Sequence, residues 1–244
     1  MNIAFFDVDG TLLPHPSLER RLFWRLLRHR KIPPMNYFRW AAEMVRLSAT
    51  NLTGAAQSNK TYLRGISSNV LSDLELQQCR CIPEFFPAAI QRIWWHASRR
   101  DEIVLVTGTL APLAEIVKAA LERELLWRGV ETQIAVIATH LVTRNDRLTG
   151  RVDGVPMFGE PKATAAREFA SSRDVPWWKC FAYGNHALDR PLLEAVGNPI
   201  AVNPSSQLRR IALKRGWQVM QWRPFPRPAA LAHRLLKWKG EPAR

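Results

Sequence analysis

Asn2-Ile3-Ala4-Phe5-Phe6-Asp7-Val8-Asp9-Gly10-Thr11 is the stretch from which the fold is read. Ile3 to Phe6 form an unbroken apolar run, the composition of a strand buried on both faces, and the run ends in two carboxylates two positions apart. In an extended backbone residues i and i+2 point to the same side, so Asp7 and Asp9 leave the carboxyl end of the strand together. That is the end at which open α/β sheets bind ligands. Gly10 permits a sharp turn directly afterwards. Paired carboxylates repel one another unless a cation lies between them, so the pattern points to a site and not to core packing.

Outward from this strand the pattern becomes helical between Pro14 and about Arg99. Ser17 is placed to cap a helix over residues 18–31, with Leu22, Phe23, Leu26 and Leu27 at helical spacing and Arg20, Arg21, Arg25, Arg28 and Arg30 supplying charge. Pro33-Pro34 stops it, and a second amphipathic helix is predicted over 36–48. Thr53-Gly54 and Ser72-Asp73 read as further helix starts, and a last helix runs through Ile90, Ile93 and Trp94. Strand chemistry returns at 102–107 and ends in Thr107-Gly108-Thr109, before a helix predicted over 110–127. A hydroxyl at a strand end, followed by free amides at a helix start, is a candidate phosphate cradle. Residues 133–138 read as a strand, 141–152 as a hairpin turning at Asn145-Asp146, and Gly159-Glu160-Pro161-Lys162 as the opening of a helix through Phe169.

Composition narrows the function classes. The chain has 244 residues, enough for one α/β domain with an insertion, and 47% of them are hydrophobic. Thirty-five Lys and Arg against 21 Asp and Glu give a net charge of +14, a surface that attracts phosphorylated substrates, nucleic acid or acidic lipid. Three cysteines cannot close a disulfide set, which indicates a reducing, cytoplasmic setting; Cys79-Arg80-Cys81 lacks the second pair of a zinc site and reads as two ordinary helix cysteines. No signal peptide or membrane-spanning stretch is read from the sequence. The tail, 223–244, joins Pro224, Pro226 and Pro228 to a basic segment carrying Leu231, Leu235, Leu236 and Trp238 at helical spacing, fit to pack on the core or to lie on an acidic membrane.

Phe5-Phe6-Asp7-Val8-Asp9-Gly10-Thr11-Leu12-Leu13-Pro14 resembles the first motif of the haloacid dehalogenase (HAD) superfamily, whose members are mostly magnesium-dependent phosphatases. Thr107-Gly108-Thr109 is similar to the second motif, Lys162 to the third, and Tyr183-Gly184-Asn185-His186-Ala187-Leu188-Asp189 to the fourth motif of the phosphoserine-phosphatase-like class IB. The resemblance implies an α/β fold: a doubly wound, Rossmann-like parallel sheet core over 1–13 and 100–222 with an inserted helical cap over 14–99. It implies a phosphomonoester phosphatase with Asp7 as nucleophile and Asp9 as general acid/base. Gly10, Thr107, Gly108 and Lys162 would bind phosphate, and Asp7, Asp9, Asn185 and Asp189 would hold Mg2+.

One departure stands out. Asn185 occupies the place of the first aspartate of the fourth motif, normally a direct magnesium ligand; it offers a carbonyl oxygen but no charge. His186 replaces a small residue, and imidazole suits softer metals. Phosphoserine phosphatases carry a glutamate nine positions after the nucleophile, where this chain has Pro16, so phosphoserine is disfavoured and a small or apolar phosphorylated metabolite is expected. Two other readings stay open: a degenerate member that binds a phosphorylated ligand without turnover, and a basic binder of membrane surface or nucleic acid on the same scaffold. No nucleic-acid module is recognisable, so nucleic acid is not the expected partner, whereas peripheral contact with an anionic membrane is carried forward. The sequence does not set the oligomeric state.

Overall fold

The computed structural model describes residues 1–48, 57–72 and 85–224. The expected helix start at Thr53-Gly54, Asp73, the Cys79–Cys81 pair and the tail from 225 onward lie outside the described residues. Strand β1 (Ile3–Phe6) is wholly buried and central. Around it are β2 (Glu102–Leu110), β3 (Ile134–Arg144), β4 (Arg147–Asp153), β5 (Cys180–Gly184), β6 (Asn198–Val202) and β7 (Gln218–Met220), in the order β4-β3-β2-β1-β5-β6-β7. The fold is thus α/β and Rossmann-like, a parallel sheet whose edge strand β4 is antiparallel to β3, as the expected hairpin requires. The predicted strand at 133–138 and the first arm of the predicted hairpin are a single strand. Its first half pairs with β2 and its second half with β4. Asn145 and Asp146 both take positive φ (48° and 57°), the conformation of a two-residue hairpin turn that these two residue types tolerate.

Alternation along β1 sorts the core into two layers. Ala4 and Phe6 face one apolar cluster with α1 (Leu18–Arg28), α4 (Pro87–Ser98) and α5 (Ala111–Trp127), the helices α2 (Pro34–Ser48) and α3 (Asn69–Ser72) lying between α1 and α4 in the chain. Ile3 and Phe5 face the other, with Ala163, Ala166 and Ala170 of α6 (Glu160–Ser172), Leu192 and Leu193 of α7 (Arg190–Ala195), and Leu208 and Ala212 of α8 (Ser206–Lys214). Ser17 caps α1 by accepting from the Arg20 N–H at 3.4 Å, as its position implied.

α4 packs against β2 and α5, with Ile90 and Ile93 in the core cluster, and the Phe86 N–H donates to the Leu12 carbonyl at 3.0 Å. Before it, residues 65–68 pair with β4 through Gly65 N–H to Leu148 O, Leu148 N–H to Ile66 O and Ser68 N–H to Asp146 O. The inserted segment is therefore stitched to the sheet's edge hairpin.

A buried polar chain ties the layers together. His96 of α4 bonds Asp101 Oδ2 through Nδ1 and the Tyr183 hydroxyl of β5 through Nε2, both at 2.9 Å, while Asp101 Oδ1 accepts from the backbone and side chain of Asn2. Burial depresses the His96 pKa, with the Asp101 carboxylate opposing it, and burial raises that of Tyr183. Tyr183 stacks on Phe6 with ring centroids 4.2 Å apart. Asp101→Ala removes the hydrogen-bond partner of three groups at once and is expected to lower stability by about 1–3 kcal/mol. Denaturant titration checks this, and a loss below about 0.5 kcal/mol would contradict it.

Candidate active site

The chain lays β2 and β3 on one side of β1, then crosses to lay β5 and β6 on the other. A crevice opens where such a sheet reverses its winding, at the carboxyl ends of the strands. The β1–β5 ladder continues one residue past β1, with the Asp7 N–H donating to the Tyr183 carbonyl at 2.9 Å, and this delivers the Asp7 side chain into that crevice. Its Oδ1 accepts from Lys162 Nζ at 2.7 Å and its Oδ2 from the Thr11 hydroxyl at 3.0 Å. Lys162, in the first turn of α6, also donates to Asp189 Oδ1 at 2.6 Å. Asp189 Oδ2 in turn accepts from the Asn185 and His186 amides, each at 3.0 Å.

These charges share a site nearly closed to water. Burial pushes the Asp7 carboxyl up to about 7 against the pull of the Lys162 ammonium, and the Asp189 and Asp9 charges add to the rise. For Lys162 burial alone would favour the neutral amine, but Asp189 and Asp7 outweigh it and hold the ammonium above its ordinary range. One cation against two carboxylates leaves a net negative pocket. Removing the lysine would leave uncompensated buried charge, typically a loss of about 3–5 kcal/mol.

Asp9 lines the same cavity through different partners. Its Oδ1 accepts from the Leu18 N–H at the start of α1 (2.9 Å) and its Oδ2 from the Thr109 hydroxyl (2.6 Å). Both oxygens of its carboxylate are thus engaged apart from the Lys162 cluster, and the inserted segment is coupled directly to this acid. The cradle at Thr107 differs from expectation. The β2–β3 register shifts between Val106 and Leu110, so β2 runs on to Leu110, α5 begins only at Ala111, and the Thr109 amide is spent on Thr107 Oγ1 at 3.2 Å. Thr107 and Gly108 nonetheless line the cavity. A side chain at Gly108 would strike the Phe158 ring, 2.1 Å from an ideal Cβ, so glycine here seats an aromatic wall. Gly10 is not among the lining residues. It takes φ +84°, and a Cβ there would fall 2.0 Å from the Asn185 amide, so its place is to turn the chain and let Asn185 approach.

The cavity, about 190 Å³, is lined by Asp7, Asp9, Thr107, Lys162, Asn185 and Asp189 among others. Asp7, Asp189 and Asn185 bring carboxylate and amide oxygens, the donor type that hard divalent cations take, to its lining. No group of three or more His, Cys, Asp or Glu fit to hold a metal occurs among the described residues. His186 Nδ1 accepts from the Leu188 N–H at 3.3 Å. Sequence reasoning assigned no role to Thr11, Thr109, Glu19 or Phe158. The two threonines stood inside the quoted motifs, whereas Glu19 and Phe158 are brought in by α1 and by the loop before α6, which no local pattern announces.

Comparison with known proteins agrees with this geometry. The family model for haloacid dehalogenase-like hydrolases matches residues 4–194. The chain is 30% identical over 247 residues to the "Inhibition of morphological differentiation protein" of Streptomyces azureus, covering 95% of this chain and 81% of that one. It resembles the crystal structure of a protein of unknown function from Bordetella pertussis Tohama I, with 30% identity and a TM-score of 0.68, over 89% of this chain and 97% of that chain. Phosphoserine phosphatase in apo form shares the fold at 17% identity, with a TM-score of 0.59, over 97% of this chain and 98% of that one. With its four motif positions gathered at one switch point, the chain belongs to the haloacid dehalogenase-like hydrolases.

Proposed function

We propose that this hydrolase is a magnesium-dependent phosphomonoester phosphatase working through an aspartyl-phosphate on Asp7, with a small or apolar phosphorylated metabolite as substrate. The observation that carries the reading is the pair of acids in one cavity with separate supports: Asp7 on Lys162 and Thr11, Asp9 on Thr109 and the α1 amide. Asp7 attacks phosphorus while Asp9 gives its proton to the departing ester oxygen. Asp9 then takes a proton from the water that attacks the phosphoryl group, which frees Asp7 and releases phosphate. Lys162 and the Thr107 hydroxyl neutralise and position the phosphoryl oxygens. Asp7, Asp189 and the Asn185 oxygen would hold Mg2+, which when bound supplies positive charge to the phosphoryl group.

Asp7→Asn is expected to abolish turnover of a generic aryl phosphate assayed with Mg2+; a loss below about tenfold would contradict a covalent role. A wild type inactive under the same conditions would favour a binding protein without turnover. Asn185→Asp is expected to lower the Mg2+ concentration for half-maximal rate by about tenfold or more, since a charged ligand replaces a dipole. Unchanged metal dependence would remove residue 185 from the ligand set.

The raised Asp7 pKa also has a stability consequence. Its protonated form contributes stability that is fully present below the ordinary carboxyl value of 3.8 and lost as pH rises through about 7. In chelator, Asp7→Asn should therefore melt above wild type at pH near 8, and the gap should shrink steadily as pH falls from about 7 toward 3.8. A gap independent of pH would show that Asp7 titrates normally.

A second reading, peripheral contact with anionic membrane, is favoured by side chains on the first two helices. Phe38 and Val45, two turns apart on α2, are 73% and 75% exposed, and Trp24 on α1 is 55% exposed, beside the basic Arg20, Arg21 and Arg25. No helix among the described residues is long and apolar enough to cross a membrane. Replacing the three arginines with Gln should weaken sedimentation with anionic vesicles, at about 1 kcal/mol per charge. A wild type that never sediments with such vesicles contradicts the reading.

A further inference from the structure

A second cavity, about 470 Å³, opens where the inserted segment meets the edge hairpin, and it shares no lining residue with the catalytic one. Four arginines line it: Arg64 from the insertion, Arg144 at the end of β3, and Arg147 and Arg151 of β4. Among the described residues no carboxylate lines it. Arg144 and Arg147 are direct cross-strand partners, a placement of like charges that destabilises a hairpin by itself. The backbone nevertheless holds the four together. Arg147 Nη1 donates to the Gly65 carbonyl at 2.7 Å, the Gly65 N–H donates to the Leu148 carbonyl at 2.8 Å, and the Arg64 carbonyl accepts from Asn36 Nδ2 at 2.7 Å.

Arginines elsewhere on the surface stand beside carboxylates, as Arg46 does with Glu43, Arg128 with Glu124, Arg167 with Glu160 and Arg173 with Glu102. None of the four at this cavity is ion-paired among the described residues. Glu43 of α2 lies within electrostatic reach of Arg151, but both of its oxygens accept from Arg46, at 2.8 and 2.6 Å. The cavity therefore presents uncompensated positive charge from two separate segments of the chain. A phosphate group carries about −1.5 to −2 near neutral pH, so about two such groups balance four guanidiniums. The planar guanidinium also matches phosphate oxygens two at a time.

We propose that this junction is a second anion site, separate from the catalytic cavity, whose ligand carries two or more clustered phosphate groups. A soluble polyphosphate and the headgroups of adjacent anionic lipids both supply that chemistry. By joining Arg64 to the hairpin arginines, the ligand clamps the inserted segment to the edge of the sheet.

The test is calorimetric titration of the wild-type protein with inorganic tripolyphosphate in chelator, where the catalytic pocket keeps its two carboxylates against one ammonium. Tripolyphosphate should bind at least about tenfold tighter than orthophosphate, because it reaches more guanidiniums. Replacing Arg64, Arg144 and Arg151 together by Gln should weaken it by about tenfold or more. The guanidiniums of these three bond no other group among the described residues, so the fold does not depend on them. Arg209→Gln, Arg210→Gln and Lys214→Gln on α8 remove the same charge from another exposed face and should leave the affinity nearly unchanged. Sedimentation with vesicles of phosphatidylcholine and phosphatidic acid forms the second arm. Loss confined to the first variant supports the site in either arm, and the arm that shows it identifies the phosphates as soluble or lipid-borne. Equal weakening in both variants would overturn the site, as would a wild type that binds neither probe. Tripolyphosphate binding no tighter than orthophosphate, without vesicle binding, would overturn the ligand class. The outcome is independent of the phosphatase reading, since no turnover is measured.

Discussion

Two carboxylates held by one ammonium in a dry crevice are the constraint on which the rest depends. Asp7 and Asp189 come from different halves of the sheet, and Lys162 from a helix on one face, so the cluster exists only if β1, β5 and α6 are placed together. The strands are therefore apolar on both sides, and the alanines Ala163, Ala166 and Ala170 let α6 sit close to the sheet. Such a cluster is poor stabilisation by itself, because desolvation offsets much of the attraction. Burial and the neighbouring Asp189 and Asp9 charges make Asp7 reluctant to ionise even beside the Lys162 ammonium.

Much of this was legible in the sequence because it depends on local pattern. An apolar run ending in Asp-x-Asp placed Asp7 and Asp9 at a strand end, and Asn145-Asp146 placed the hairpin turn, since each rests on backbone sterics acting over two residues. The order of motifs along the chain implied Lys162 and Asp189, which the fold joins across 27 residues. What local pattern does not give is what needs tertiary partners. A register shift carries β2 on to Leu110, and the Thr109 amide bonds the Thr107 hydroxyl. Pro87–Ser98 is held to the core by Ile90, Ile93 and the His96–Tyr183 bond.

The inserted segment is coupled to the chemistry at one point above all. Leu18 donates to Asp9 while Glu19, the next residue, turns into the cavity with Lys60 behind it. Asn185, whose side chain lies against the Gly10 turn, lines the same cavity.

The most direct measurement is a crystal structure of the wild-type protein grown with Mg2+ and beryllium fluoride, a mimic of the phosphoryl group on a carboxylate. The account predicts beryllium bonded to an Asp7 carboxylate oxygen, with Lys162 and Thr107 on its fluorides and the cation touching Asp7, Asp189 and the Asn185 oxygen. Beryllium on any other residue, or a cation held without Asp7, would contradict it.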